Sequence, residues 1–139
     1  MTIMKNIKPL ILVLTIFGLC IMCEEEEHSE RFKLLTGPVW MSDSLMANGM
    51  DAGGPGGLLE KFNGEAKFNE DGTGNFGEYV GNWYFSNNEK DITIMSDSLI
   101  LALTCRIVEL TELSFKITTS FPIPDLPEPV DIRITFKPK

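Results

Sequence analysis

Along Val130-Asp131-Ile132-Arg133-Ile134-Thr135-Phe136-Lys137, apolar side chains stand at every second position and polar ones between them. This is the pattern of a strand with one face in a core and the other in water. Arg133, on the opposite parity from Ile132 and Ile134, is expected outside. Leu113, Phe115 and Ile117 alternate likewise with Glu112, Ser114, Lys116 and Thr118. Leu99, Leu101, Leu103, Cys105 and Ile107 share one face of a longer run whose other face carries Ile100, Ala102, Thr104, Arg106 and Val108. That strand is expected to be covered on both sides at its start. Upstream, Phe62, Gly64, Ala66 and Phe68 form another alternating set, closed by the turn residues Asn69-Glu70-Asp71-Gly72. Thr73 begins the next strand, Val80 to Phe85 follows, Ser86-Asn87-Asn88-Glu89 turns the chain, Ile92 to Met95 returns, and Ser96-Asp97 turns it again.

With a first strand near Pro38 to Leu45, the count is eight, and no stretch beyond residue 23 keeps apolar residues at helical spacing. Short strands joined by tight turns imply an all-β domain over 34–139, and hairpin connections favour a small eight-stranded antiparallel up-and-down barrel over a sandwich. Such a barrel either holds one small ligand or is filled by its own side chains. The longest connections are Ala47 to Gly57 and Phe121 to Pro129. Residues 53 to 57, Gly-Gly-Pro-Gly-Gly, are followed by neither Lys-Ser/Thr nor a helix start, so they read as a loop rather than a phosphate cradle.

The chain has 139 residues, 43% hydrophobic and 23% charged, with a net charge of −8, which suits one ordinary globular domain. The acidic excess argues against a nucleic-acid partner. Much of the apolar content lies at the start. Lys5 and Lys8 precede a run from Pro9 to Cys23 that is too short to span a bilayer comfortably, so residues 1–22 read as a secretory signal peptide. Removing them removes two lysines and no acid. Residues 23–33, with Glu24 to Glu27 in a row, read as an acidic tether.

The edge Leu19-Cys20-Ile21-Met22-Cys23-Glu24 resembles the lipobox of bacterial lipoproteins. The resemblance implies that the signal is cut before a cysteine carrying a diacylglycerol thioether. Cys23 is the expected lipidation site because the polar sequence begins directly after it; Cys20 is the alternative. Met22 stands where a small residue is usual. The acidic residues after Cys23 also resemble an export signal to the outer face of the outer membrane, against which stands a plain solvated tether. Soluble secretion and a Cys20/Cys23 zinc or redox pair are the competing readings, the latter lacking a second pair downstream.

Leu34-Leu35-Thr36-Gly37-Pro38-Val39-Trp40, Phe68-Asn69-Glu70-Asp71-Gly72-Thr73, Gly81-Asn82-Trp83 and the closing Ile134-Thr135-Phe136-Lys137 together resemble the bacterial lipocalin-like domain lipoproteins. The resemblance implies an outer-membrane anchor and a barrel with Trp40 plugging one end. Pro38 departs from it by lengthening the Gly-x-Trp start, so a bulge or a frayed first strand is expected. The sequence also ends directly after the last strand, without the packing helix of full-length lipocalins, which is expected to leave one flank barer.

No catalytic residue, metal site or cofactor is expected, and the protein is read as no enzyme. His28 lies in the tether, and Cys105 is a lone thiol on an apolar face with no activating base in view. Glu70–Asp71 and Glu109–Glu112 fall at turns, and Asp43, Asp51 and Asp125 are scattered. Trp40, Phe68, Trp83, Phe115 and Phe136 are the candidate ligand-binding residues, pointing inward to form either an apolar pocket or a filled core. The expected protein is a monomeric, membrane-anchored lipocalin-like lipoprotein that binds a small apolar or amphipathic ligand. The alternative is a non-enzymatic structural or interaction lipoprotein with a filled barrel contacting a protein or glycan.

Overall fold

The computed structural model describes residues 28–139. The expected signal segment and the Cys23 lipidation site lie outside the described residues. One helix, α1 (Glu30–Thr36), precedes nine strands: β1 (Trp40–Ala47), β2 (Met50–Asp51), β3 (Glu65–Phe68), β4 (Thr73–Phe76), β5 (Tyr79–Ser86), β6 (Asp91–Ser96), β7 (Leu103–Leu110), β8 (Phe115–Phe121) and β9 (Val130–Pro138). A 3-10 turn spans Glu60–Phe62.

Neighbours pair in the order β2-β1-β3-β4-β5-β6-β7-β8-β9, all antiparallel, and β9 returns to pair with β1. β1 and β3 to β9 therefore close the eight-stranded up-and-down barrel that the alternating pattern predicts. The closing seam runs from Trp40↔Pro138 to Ala47↔Ile132, and its register shifts between Ser42 and Ser44, which leaves Asp43 as a bulge. Pro38 stays outside the ladder: β1 starts two residues beyond it, and the expected irregularity falls at Asp43 instead. β2 is an extra two-residue strand on the other side of β1, joined to it through Asn48-Gly49 at φ 50° and 78°. Both residues are left-handed, as a type I′ turn requires. The hairpin divides what the sequence presents as one connection from Ala47 to Gly57.

Two other expectations are corrected. Residues 30–33, expected to be tether, form the first turn of α1. Ser29 caps this helix, its Oγ accepting from the Phe32 N–H at 3.1 Å, and Gly37-Pro38 ends it. Two turns are too few for a helical period to show in the sequence. The run Leu99 to Ala102 is not strand: the last β6–β7 bridge is Ile94↔Leu103, so the residues before it have no ladder. Ile100 is 88% exposed and Leu101 51%, the reverse of the double coverage expected.

Because the strands alternate in direction, the connections sort to two ends. The β3–β4, β5–β6 and β7–β8 turns lie on the side of α1, and the β1–β3, β4–β5, β6–β7 and β8–β9 connections lie on the other. Val130, Ile132, Ile134 and Phe136 are all buried, and Arg133 is exposed, as the alternation in β9 requires.

Candidate functional site

The five aromatic residues marked in the sequence meet in one cluster inside the α1 end. Trp40, Phe68 and Phe115 are fully buried, and Trp83 and Phe136 nearly so. Phe115 is the hub: its ring centroid lies 5.7 Å from Trp40, 5.7 Å from Phe68 and 5.5 Å from Phe136. Phe68 meets Trp83 edge-on at 5.8 Å, and Phe76 joins at 5.1 Å. Both indoles are tied to backbone, Trp40 Nε1 donating to the Leu35 carbonyl and Trp83 Nε1 to that of Asn69, each at 3.0 Å. These contacts are the offset and edge-to-face packing of a core.

Helix α1 lies over this cluster. Leu35 is fully buried, Phe32 sits 5.8 Å from Trp83, and His28 stacks on Phe32 at 4.1 Å. Lys67 Nζ donates to the carbonyls of Thr36 (2.5 Å), Gly37 and Pro38 (both 3.3 Å), placing a cation at the helix C-terminus. At the other terminus, Arg31 Nε donates to the Glu89 carbonyl at 2.9 Å and Ser29 Oγ to the Glu89 carboxylate at 2.7 Å. The turn that offers Glu89 is a left-handed run, Asn87, Asn88 and Glu89 having φ of 53°, 55° and 63°. This end of the barrel is plugged by α1.

The opposite end is not. A hollow of about 240 Å³ opens there, with Leu59 and Phe62 from the β1–β3 connection, Leu103 and Ile132 from the barrel wall, Phe121 at the end of β8 and Ile123 just beyond it among its lining. Tyr79 also lines it, its ring 4.7 Å from Phe62. Burial, and secondarily the Glu78 charge, push the Tyr79 hydroxyl pKa up. Among the described residues, no charged side chain lines the hollow. Its rim carries the exposed side chains of Leu58 and Ile100, 49% and 88% accessible. None of the five marked aromatics lines it. The residues that do come from three connections and from strands β5, β7, β8 and β9, far apart in the sequence; the apolar character of Phe121-Pro122-Ile123-Pro124 is the one local signal that points there.

Other hollows are lined largely by polar and charged residues, one of about 590 Å³ lying between Asn48, Thr118, Asp131 and Arg133. The titratable groups weighed in the sequence are dispersed. His28 is on the α1 side. Cys105 is buried, and burial, with a smaller contribution from Asp91, pushes its thiol up to about 12, so the thiolate is scarce at neutral pH. Asp71 is lowered by hydrogen bonds from the Thr73 hydroxyl and N–H, at 2.6 and 3.0 Å. Glu109 is lowered by Ser114 and by its ion pair with Lys116. Asp71 serves a turn, and Glu109, within β7, a cross-strand pair with β8. Among the described residues, no group of three or more His, Cys, Asp or Glu is placed to hold a metal ion.

Architecture therefore defines the class: a closed, up-and-down eight-stranded barrel, consistent with a lipocalin-like fold, plugged at one end and apolar at the mouth of the other. No protein-family model matches the chain, and a comparison with curated proteins finds no match.

Proposed function

We propose that this protein is a lipid-anchored lipocalin-like lipoprotein, attached through Cys23 to the outer membrane, that binds a small apolar or amphipathic molecule at the open end of its barrel. The observation that carries the reading is the uncharged hollow of about 240 Å³ at the unplugged end. It is smaller than the roughly 300–1,000 Å³ of drug-sized sites and larger than the roughly 150 Å³ cavity that takes benzene, so it suits a compact body or the end of one chain. Binding, not chemistry, is the proposed activity, by a monomer without nucleic acid or cofactor. Native mass spectrometry of the protein purified from its own host tests this: a small molecule co-purifying with it is expected, and consistent absence counts against the ligand. Labelled fatty acid is expected to be incorporated in a Cys23-dependent way; undiminished labelling of Cys23→Ala would remove the anchor assignment.

A second reading, a filled barrel that contacts a macromolecule, is favoured by the aromatic cluster, which occupies the interior at the α1 end. The exposed loop residues Leu58, Ile100, Leu101 and Leu126 supply its contact surface.

A further inference from the structure

The charges around the open end are one-sided. Its four connections, with the short strand β2, carry Asp51, Glu60, Glu78, Asp97, Asp125 and Glu128 against a single amine, Lys61, and all seven side chains are exposed. Among the described residues, the ion pairs are Glu30–Lys33, Asp91–Arg106, Glu109–Lys116, Asp43–Lys137 and Glu65–Lys139. None of them uses an open-end carboxylate. At the other end, α1, the three turns and the chain terminus set Glu30, Glu70, Asp71, Glu89 and Glu112 against Arg31, Lys33, Lys90 and Lys139, which is close to balance. The connections that form the mouth of the uncharged hollow thus carry six carboxylates offset by Lys61 alone, an arrangement that concentrates positive charge there.

We infer that the ligand of this site is a cationic amphiphile: a compact apolar body or short chain in the hollow, with a protonated amine held at the rim. The inference rests on the open-end reading above and adds the sign of the ligand's charge. The lining explains why the amine stays outside, since it offers no charged partner to a buried cation and desolvating one is costly. The rim explains the sign. A carboxylate on the same body would enter a field of six like charges, and a neutral molecule would gain from burial alone. Each rim charge acts through water, so the preference arises from several weak attractions and is screened by salt.

Octylammonium, octanol and octanoate present one chain with three charges and separate these contributions. Their affinities for the purified protein are measured by calorimetry at low and high salt, with NMR shifts of Tyr79, Leu103 and Ile132 reporting the site. Octylammonium is expected to bind about tenfold more tightly than octanol at low salt, octanoate most weakly, and the three to converge at about 0.5 M salt, where the screening length is only a few ångströms. The variant Asp97→Asn/Asp125→Asn/Glu128→Gln is expected to lose most of the octylammonium advantage while its octanol affinity is unchanged. Equal affinities for octanol and octylammonium at low salt would overturn the cationic assignment and leave the apolar site standing. Binding of none of the three would overturn the open-end site itself. Ile123→Trp fills the hollow from a loop; octylammonium binding undiminished in that variant would show attraction to the acidic surface alone and would also overturn the inference.

Discussion

Cys105 lies on the inner face of β7 and is almost completely buried, with its thiol pKa raised to about 12 from an ordinary 9.0. The native thiol keeps its proton where the unfolded one has lost it. Its stabilising contribution is therefore complete below about pH 9 and is lost as pH rises towards 12. Tyr79, also raised, acts in the same direction. A plot of melting temperature against pH is expected to fall above pH 9, and Cys105→Ala is expected to fall less steeply, at a cost of about 1 kcal/mol near neutrality from the lost volume. Superimposable alkaline limbs would remove Cys105 as the cause. Phe115 tests packing. Replacing it with Ala opens a space between Trp40, Phe68 and Phe136 and is expected to cost about 3–5 kcal/mol in urea unfolding, whereas Leu113→Ala, at a position 78% exposed, stays within about 0.5 kcal/mol.

Seven residues of helix are marginal in isolation, so α1 persists through what it touches: Glu89 at its start, Lys67 at its end and Trp83 beneath it. Phe32→Ala removes the ring over Trp83. It is expected to shift tryptophan emission to the red and increase acrylamide quenching while the far-ultraviolet spectrum of the strands is retained; an unchanged emission maximum would mean that α1 does not shield the cluster. These contacts also explain what the sequence conceals. β8 and β9 are legible because one of their faces is wet throughout, so alternation is enforced residue by residue. α1 contributes only Leu35 and Thr36 as buried residues, too few to establish a period, and β2 is two exposed residues announced solely by Asn48-Gly49. The Leu99–Ala102 run looks like strand because it is apolar, yet β6 ends at Ser96 and leaves it no partner. The five aromatics were legible as inward-facing; the open-end hollow was not, because residues as distant as Leu59, Tyr79, Leu103 and Phe121 share it only once the barrel has closed.

The barrel has polarity as a body. The described chain enters at the plugged end, where Ser29 is bound to Glu89, and the apolar mouth faces the other way. With Cys23 acylated as proposed, five residues lie between the anchor and Ser29, an extended reach of about 20 Å at most, so the mouth is expected to point away from the bilayer. A fluorophore on Leu113→Cys is expected to be quenched by headgroup-labelled lipid more strongly than one on Leu126→Cys; the opposite ranking would reverse the orientation. The β1–β9 seam has a consequence for assembly. The first long strand of the barrel finds its main partner in the last, about 90 residues later, so closure waits until the whole chain is present. Until then β1 and β9 are open edges with unmet backbone donors and acceptors, each able to pair with the wrong chain. The intact ring has no such edges along the seam, and the hazard that these two strands carry is therefore confined to the interval before they meet.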